Sequence, residues 1–209
     1  TLFMYFFKVF LCSGVLFLYY QLSLKDKTFH HYNRFYLLLA AAISLLLPLL
    51  KVEDFTIEVN ADLYFLLTKI ENIKTYNSIN DDYTYFKLGF AALALVSVFF
   101  VGRLVLGILK ILRIRNKFKK ETLEGINFYQ TNLSDAPFSY FKNLFWKHSL
   151  EINSDLGKQI LKHEMVHIEQ KHSYDKIFME LLSGIFWFNP VFYVMKKEIF
   201  LIHEYLADK

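Results

Sequence analysis

The chain has 209 residues, 55% of them hydrophobic, a formal net charge of +4 and a mean hydropathy of +0.26. A soluble domain averages roughly 45–50% apolar residues, and here the excess sits in long runs, the way membrane proteins are written. So small a net charge argues against a nucleic-acid binder that works by bulk charge, and a single cysteine, Cys12, excludes an intrachain disulfide framework. Cys12 lies in an apolar run and reads as a small buried hydrophobe.

The first run, residues 2–22, is long enough to cross ~30 Å of hydrocarbon as a helix rising 1.5 Å per residue. Lys8 interrupts it near one end and can snorkel toward headgroups. The run lacks a basic start and a small-residue cleavage site, so a retained span is expected rather than a signal peptide. Residues 23–34 are polar and basic, with Lys25, Lys27, Arg34 and two histidines, His30 and His31, expected to be solvated. A short second span is expected over 33–50 and a third over 88–110.

Between them, residues 51–87 carry Glu53, Asp54, Glu58, Asp62, Glu71, Asp81 and Asp82 against Lys51, Lys69, Lys74 and Lys87. After the third run, Lys110, Arg113, Arg115, Lys117, Lys119 and Lys120 follow within eleven residues. The positive-inside rule then puts the N-terminus outside, loop 23–34 in the cytoplasm, the acidic loop 51–87 outside and everything beyond Lys110 in the cytoplasm. Residues 1–110 are thus expected to form a three-span membrane region and 111–209 a cytoplasmic domain. Thr1 at the start and Lys209 directly after a motif suggest a piece of a longer protein.

From Glu121 the texture changes. Residues 125–131 and 138–146 are aromatic and β-branched stretches between turn-formers, and read as two short strands. Asn153 or Ser154 then caps a helix, with Asp155 favourable in its first turn and the helix running to about Lys171. Leu156, Ile160, Leu161, Val166 and Ile168 supply much of its apolar surface. Residues 177–195 are apolar again but contain Asn189-Pro190, and proline cannot continue the hydrogen-bond ladder. Two helical pieces with a kink, partly embedded in the membrane, are expected there, followed by a last helix over 198–208.

The chemistry is in His163-Glu164-Met165-Val166-His167. Residues at i and i+4 of a helix share a face, so both imidazoles converge on one point at which a zinc ion can be bound. Glu164 is turned about 100° away, too far to be a third ligand from the same turn but able to reach water held at the metal as a general base. A solvated helix with two histidines is the bland alternative, and the pentapeptide alone is weakly specific. Zinc peptidases need a third protein ligand and an open position. Glu204 on the last helix is the first candidate, with His203 and Glu198 as rivals. Asp208 shares Glu204's face and can hold the free ring N–H of a ligating histidine.

His-Glu-Met-Val-His, Trp187-Phe188-Asn189-Pro190 and Glu204-Tyr205-Leu206-Ala207-Asp208, in that order behind three spans, resemble the BlaR/MecR-type membrane metallopeptidases, the antirepressor sensors of β-lactam resistance and their relatives. The resemblance covers most of the chain. It implies an α-helical membrane protein with a small α+β, gluzincin-like zinc peptidase domain, with Glu204 as third ligand and Asp208 in support. It also implies a bacterial cytoplasmic membrane and a repressor-like protein, or the peptidase itself, as substrate. The expected cofactor is Zn2+. The expected partners are the membrane and a protein substrate, with a dimer left open and no direct nucleic-acid contact. The alternatives are a housekeeping protease of the HtpX type and a signalling scaffold without catalysis. Intact Glu164 argues against the scaffold.

Weaker candidates complete the reading. His172 lies off the ligand face and reads as a helix-end or supporting histidine, with Asp175 able to orient it. Residues 138–143, with Tyr140, are a candidate edge for substrate strand addition. Tyr205 is a candidate oxyanion donor. Trp187 and Tyr193 read as interfacial aromatics.

Overall fold

The computed structural model describes residues 2–25, 27, 29–50, 82–123 and 125–209, and within them the chain is mostly helical with one small sheet. Helix α1 (Leu2–Tyr19) continues through a π-helical turn, Tyr20–Leu24. Helix α2 (His30–Leu46) ends in a 3-10 turn, Leu47–Leu49, where Pro48 stops the ladder. Helix α3 (Asp82–Lys117) is one unbroken rod of 36 residues, about 54 Å long at 1.5 Å per residue. The expected loop 51–87 lies outside the described residues as far as 81, and its last six residues already belong to α3. The basic residues from Lys110 to Lys117, read as a flank, are the end of that helix.

Met4–Leu24, His30–Leu49 and Lys87–Lys117 are long and apolar enough to cross a membrane. Leu95, Val98, Phe99 and Leu106 on α3 face outward. That surface would be an aggregation liability in water and is ordinary in lipid.

After α3 the chain forms a four-stranded mixed sheet in the order β1-β2-β4-β3. Strand β1 (Lys120–Leu123) pairs antiparallel with β2 (Ile126–Thr131). Strand β4 (Asn143–Lys147) runs parallel to β2 and antiparallel to β3 (Phe138–Tyr140). The single strand expected over 138–146 is therefore two. Phe141 adopts a left-handed conformation with φ 53°, its N–H donates to Ser173 Oγ at 2.9 Å, and the chain reverses in two residues. No glycine supplies the left-handed position, which is why the sequence reads as continuous; Asn143, just after the turn, closes it by donating its Nδ2–H to the Tyr140 carbonyl at 3.0 Å. Strand β1 was not expected at all, because Lys119-Lys120-Glu121 looks like a charged tail; at an edge such charges discourage pairing with another chain.

Helix α4 (Asp155–Glu169) lies on the sheet. Ser154 caps it, its Oγ accepting from the Gly157 N–H at 3.0 Å and donating to the Glu151 carbonyl at 2.7 Å. A Cβ on Gly157 would sit 2.1 Å from the Glu151 carbonyl oxygen, so only glycine lets the capping turn close. Ile160, Leu161, Met165 and Ile168 meet Ile126, Phe128, Leu144 and Trp146 of the sheet. Leu156, expected on that face, is instead exposed.

The expected three helical pieces over 177–208 are two long helices, α5 (His172–Ile185) and α6 (Pro190–Ala207). Pro190 starts α6 rather than kinking it: at the first helical position its missing N–H costs nothing. Asn189 caps it, Oδ1 accepting from the Val191 N–H at 3.0 Å and Nδ2 donating to Ser13 Oγ at 3.1 Å. The hairpin tip packs on α1, with the Phe188 ring 5.1 Å from that of Phe6. Phe6 lies some 27 Å along the helix from Leu24, so the tip runs deep beside the first span.

Met179, Leu182, Phe192, Met195 and Ile199 share one core with Val9, Leu37, Ala40 and Ala41. Gly184 lets α5 approach α3 closely, a Cβ there lying 3.3 Å from Phe100 Cβ. The main core thus crosses the boundary expected at 110/111 and joins α5 and α6 to α1 and α2, while the sheet and α4 enclose a second core.

Candidate metal centre

Helix α4 brings His163 and His167 to one face, and α6 packs against it so that Glu204 meets them. The two Nε2 atoms are 3.2 Å apart. Glu204 Oε2 is 3.6 Å from His163 Nε2, and Oε1 is 3.8 Å from His167 Nε2. A tetrahedral zinc with bonds of roughly 2.0–2.1 Å sets its ligand atoms about 3.4 Å apart, which these separations approach. Among the described residues this is the one group of three or more such side chains close enough to hold an ion.

The remaining ring nitrogens are engaged in a way that fits a cation. His163 Nδ1 donates to Asp208 Oδ1 at 2.9 Å, and His167 Nδ1 lies 2.7 Å from His172 Nδ1. With its Nδ1 as donor, each neutral ring keeps its Nε2 lone pair. Two such lone pairs 3.2 Å apart and facing a carboxylate repel unless a positive charge lies between them. Burial first, then the charges of Lys176 and His163, lowers the His167 pKa to about 4, so at neutral pH a metal need not displace a proton there.

Glu164 follows His163 on α4, half-buried, and among the described residues it has no hydrogen-bond or ion-pair partner. A cleft of about 490 Å3 opens beside His163, lined by Gln159, Lys162 and Asp208 among others. Strand β3 forms the sheet edge next to α4, with Tyr140 on it; Asn143 belongs to the inner strand β4. Tyr205 stacks on His30 at 5.4 Å. This ties the start of α2 to the site helix: His30, expected to be solvated, is engaged, while His31 is exposed as expected.

The two rival ligands are engaged elsewhere. Glu198 accepts from Lys25 Nζ at 2.7 Å and from Tyr20 Oη at 3.4 Å. His203 is fully buried, and its Nε2 donates to Asp175 Oδ2 at 2.9 Å. Asp175 therefore orients His203, not His172 as expected. Burial pushes the Asp175 carboxyl upward, but hydrogen bonds from His203 and Arg34 together with the Arg34 charge outweigh it and hold the group below its ordinary value. Burial likewise lowers His203 despite Asp175. Burial, then His203 and Arg34, lowers His172 to about 2, so its ring is neutral.

Arg34, Gln170 and the His203–Asp175 pair escaped the sequence reading. A signal existed. His172 and Asp175 continue the stripe of Met179 and Leu182 on α5, and Arg34 continues that of Leu37 and Ala41 on α2. Polar residues on a stripe that is otherwise apolar must find partners inside.

The chain matches no protein-family model, no curated protein and no solved structure.

Proposed function

We propose that the chain is a membrane-embedded zinc metalloendopeptidase in transmembrane signalling, cutting a cytoplasmic repressor-like protein or itself. The observation that carries this reading is the convergence of His163, His167 and Glu204 at near-tetrahedral ligand spacing, with Glu164 on the same helix and without a competing partner among the described residues. Bound there, zinc supplies Lewis-acid polarisation of a carbonyl and activation of water. Glu164 takes a proton from the attacking water and returns it to the leaving amine. Asp208 holds the His163 ring, so that its Nε2 faces the metal position. Strand β3 offers free backbone groups for an extended substrate beside α4.

The three apolar helices support a membrane location, and the basic residues at 23–34 and 110–120 support a cytoplasmic site. Lys25 pairing with Glu198 and His30 stacking on Tyr205 keep loop 23–34 on the side of the metal centre, as that orientation requires.

The test is zinc content and cleavage of the protein reconstituted in membranes, beside Glu164→Gln. The variant is expected to keep its zinc and lose cleavage of itself or of an added repressor-like protein. Zinc in both with cleavage by neither would favour a scaffold, and absence of zinc from the intact protein would overturn the proposal.

A further inference from the structure

Resting on that metal-site reading, we infer that His172 is a positioning residue for the ligand His167, and that Arg34 of the second membrane helix holds His172 in this role, so that the span forms part of the metal centre's support.

The inference follows from where protons must sit. The Arg34 guanidinium can only donate. It gives Nε–H to Asp175 Oδ2 at 2.6 Å, Nη2–H to the Gln170 carbonyl at 2.6 Å and a long 3.5 Å contact from Nη1 to Gln170 Oε1. Gln170 Oε1 is therefore an acceptor, and it also receives His172 Nε2–H at 3.2 Å. A neutral imidazole has one N–H, so His172 Nδ1 is left as a lone pair. That lone pair lies 2.7 Å from His167 Nδ1, which must then be the donor, leaving His167 Nε2 to face the metal position.

A second arm fixes the plane of the ring. His203, held by Asp175, stacks on His172 with centroids 3.9 Å apart and 12° between planes. Both arms start from Arg34, which is buried. The left-handed Lys171, φ 57°, turns the chain between α4 and α5 so that His172 lies back beside His167. A buried guanidinium with partners on both sides of that turn joins α2 to the metal ligand. Displacing α2 along its axis would pull on Gln170 and Asp175 together.

The test uses the whole chain in detergent micelles, with Zn2+ affinity read by competition against a chromogenic chelator and ligand geometry read from Co2+ absorption. His172→Leu is expected to weaken zinc by about 10–100-fold, the range for a group that orients a ligand. His172→Asn, whose amide oxygen can stand near the lost Nδ1, is expected to restore affinity to within about threefold. Arg34→Met with Asp175→Asn removes both buried charges together, so no lone charge is left inside to unfold the protein; it is expected to weaken zinc about tenfold and to shift the Co2+ bands as His172→Leu does. The triple variant should be no weaker than His172→Leu by more than about twofold, because residues acting through one another are not additive.

Full additivity in the triple variant would overturn the role of Arg34. Equal zinc affinity of the intact protein and His172→Leu would overturn the inference while leaving the metal site standing. Zinc losses that only track metal-free helical content and melting, with no rescue by asparagine, would reduce His172 to a structural residue and overturn it too. An intact protein that binds no zinc would overturn the metal-site reading itself.

Discussion

Replacing Asn189 by alanine tests the deep hairpin tip, on which the placement of Glu204 depends. Asn189 is buried and does two jobs with one side chain: it caps α6 through the Val191 N–H and donates to Ser13 Oγ on α1. Loss of a cap costs about 1 kcal/mol. An interhelical hydrogen bond between membrane helices averages about 0.6 kcal/mol. Ser13 keeps its own bond, since its hydroxyl donates to the Phe10 carbonyl at 3.0 Å, so only its acceptor role is lost. The part-buried Val191 N–H adds part of the cost of an orphaned donor, about 1–3 kcal/mol in full. Asn189→Ala should therefore destabilise by about 2 kcal/mol, and Ser13→Ala, which spares the cap, by only about 0.6 kcal/mol. The assay is far-ultraviolet circular dichroism of the protein in mixed micelles as the denaturing detergent fraction rises. The double variant should show a coupling near 0.6 kcal/mol. An Asn189→Ala variant within 0.5 kcal/mol of the intact protein, taken as ordinary for a featureless position, would refute the reasoning, as would strict additivity with Ser13→Ala.

Three other outcomes are expected. Gly157→Ala forces a Cβ to within 2.1 Å of a backbone oxygen and should cost about 1–3 kcal/mol in thermal melting; a neutral result would contradict the closed capping turn. Asp208→Asn should weaken zinc by about 10-fold or more, and Glu204→Gln should weaken it further, as measured by chelator competition; the reverse order would exchange their roles. Stripping the metal with a chelator should lower the melting temperature and abolish cleavage. Readdition at about 100 times Kd should return about 2.7 kcal/mol, and a melting curve indifferent to zinc would count against a metal held by the folded state.

The legible part of the molecule was its local part. Long apolar runs announce membrane-length helices because lipid demands about 20 apolar residues in succession. The Ser154 cap and the His163–His167 pair follow from helical geometry alone, since neither needs any contact beyond its own turn. The Asn189-Pro190 break was visible, but proline's position is ambiguous by itself: within a helix it kinks, at the first turn it begins one. The Ser13 contact at the tip accompanies the second outcome. The turn at Phe141 was illegible because its left-handed residue is held by Ser173 and packed on Tyr174, partners distant in sequence.

The amino-acid order thus determined the three membrane-length helices and two converging imidazoles, because each follows from the residues of a single helix. Only tertiary packing decided the rest. It set Glu204 against His163 and His167, engaged the rivals Glu198 and His203 elsewhere, and carried Arg34 across 141 residues of sequence to Asp175. Buried charges and lone pairs have no local signature of their partners. They declare only that partners are needed, and which ones answer depends on how α2, α4, α5 and α6 pack.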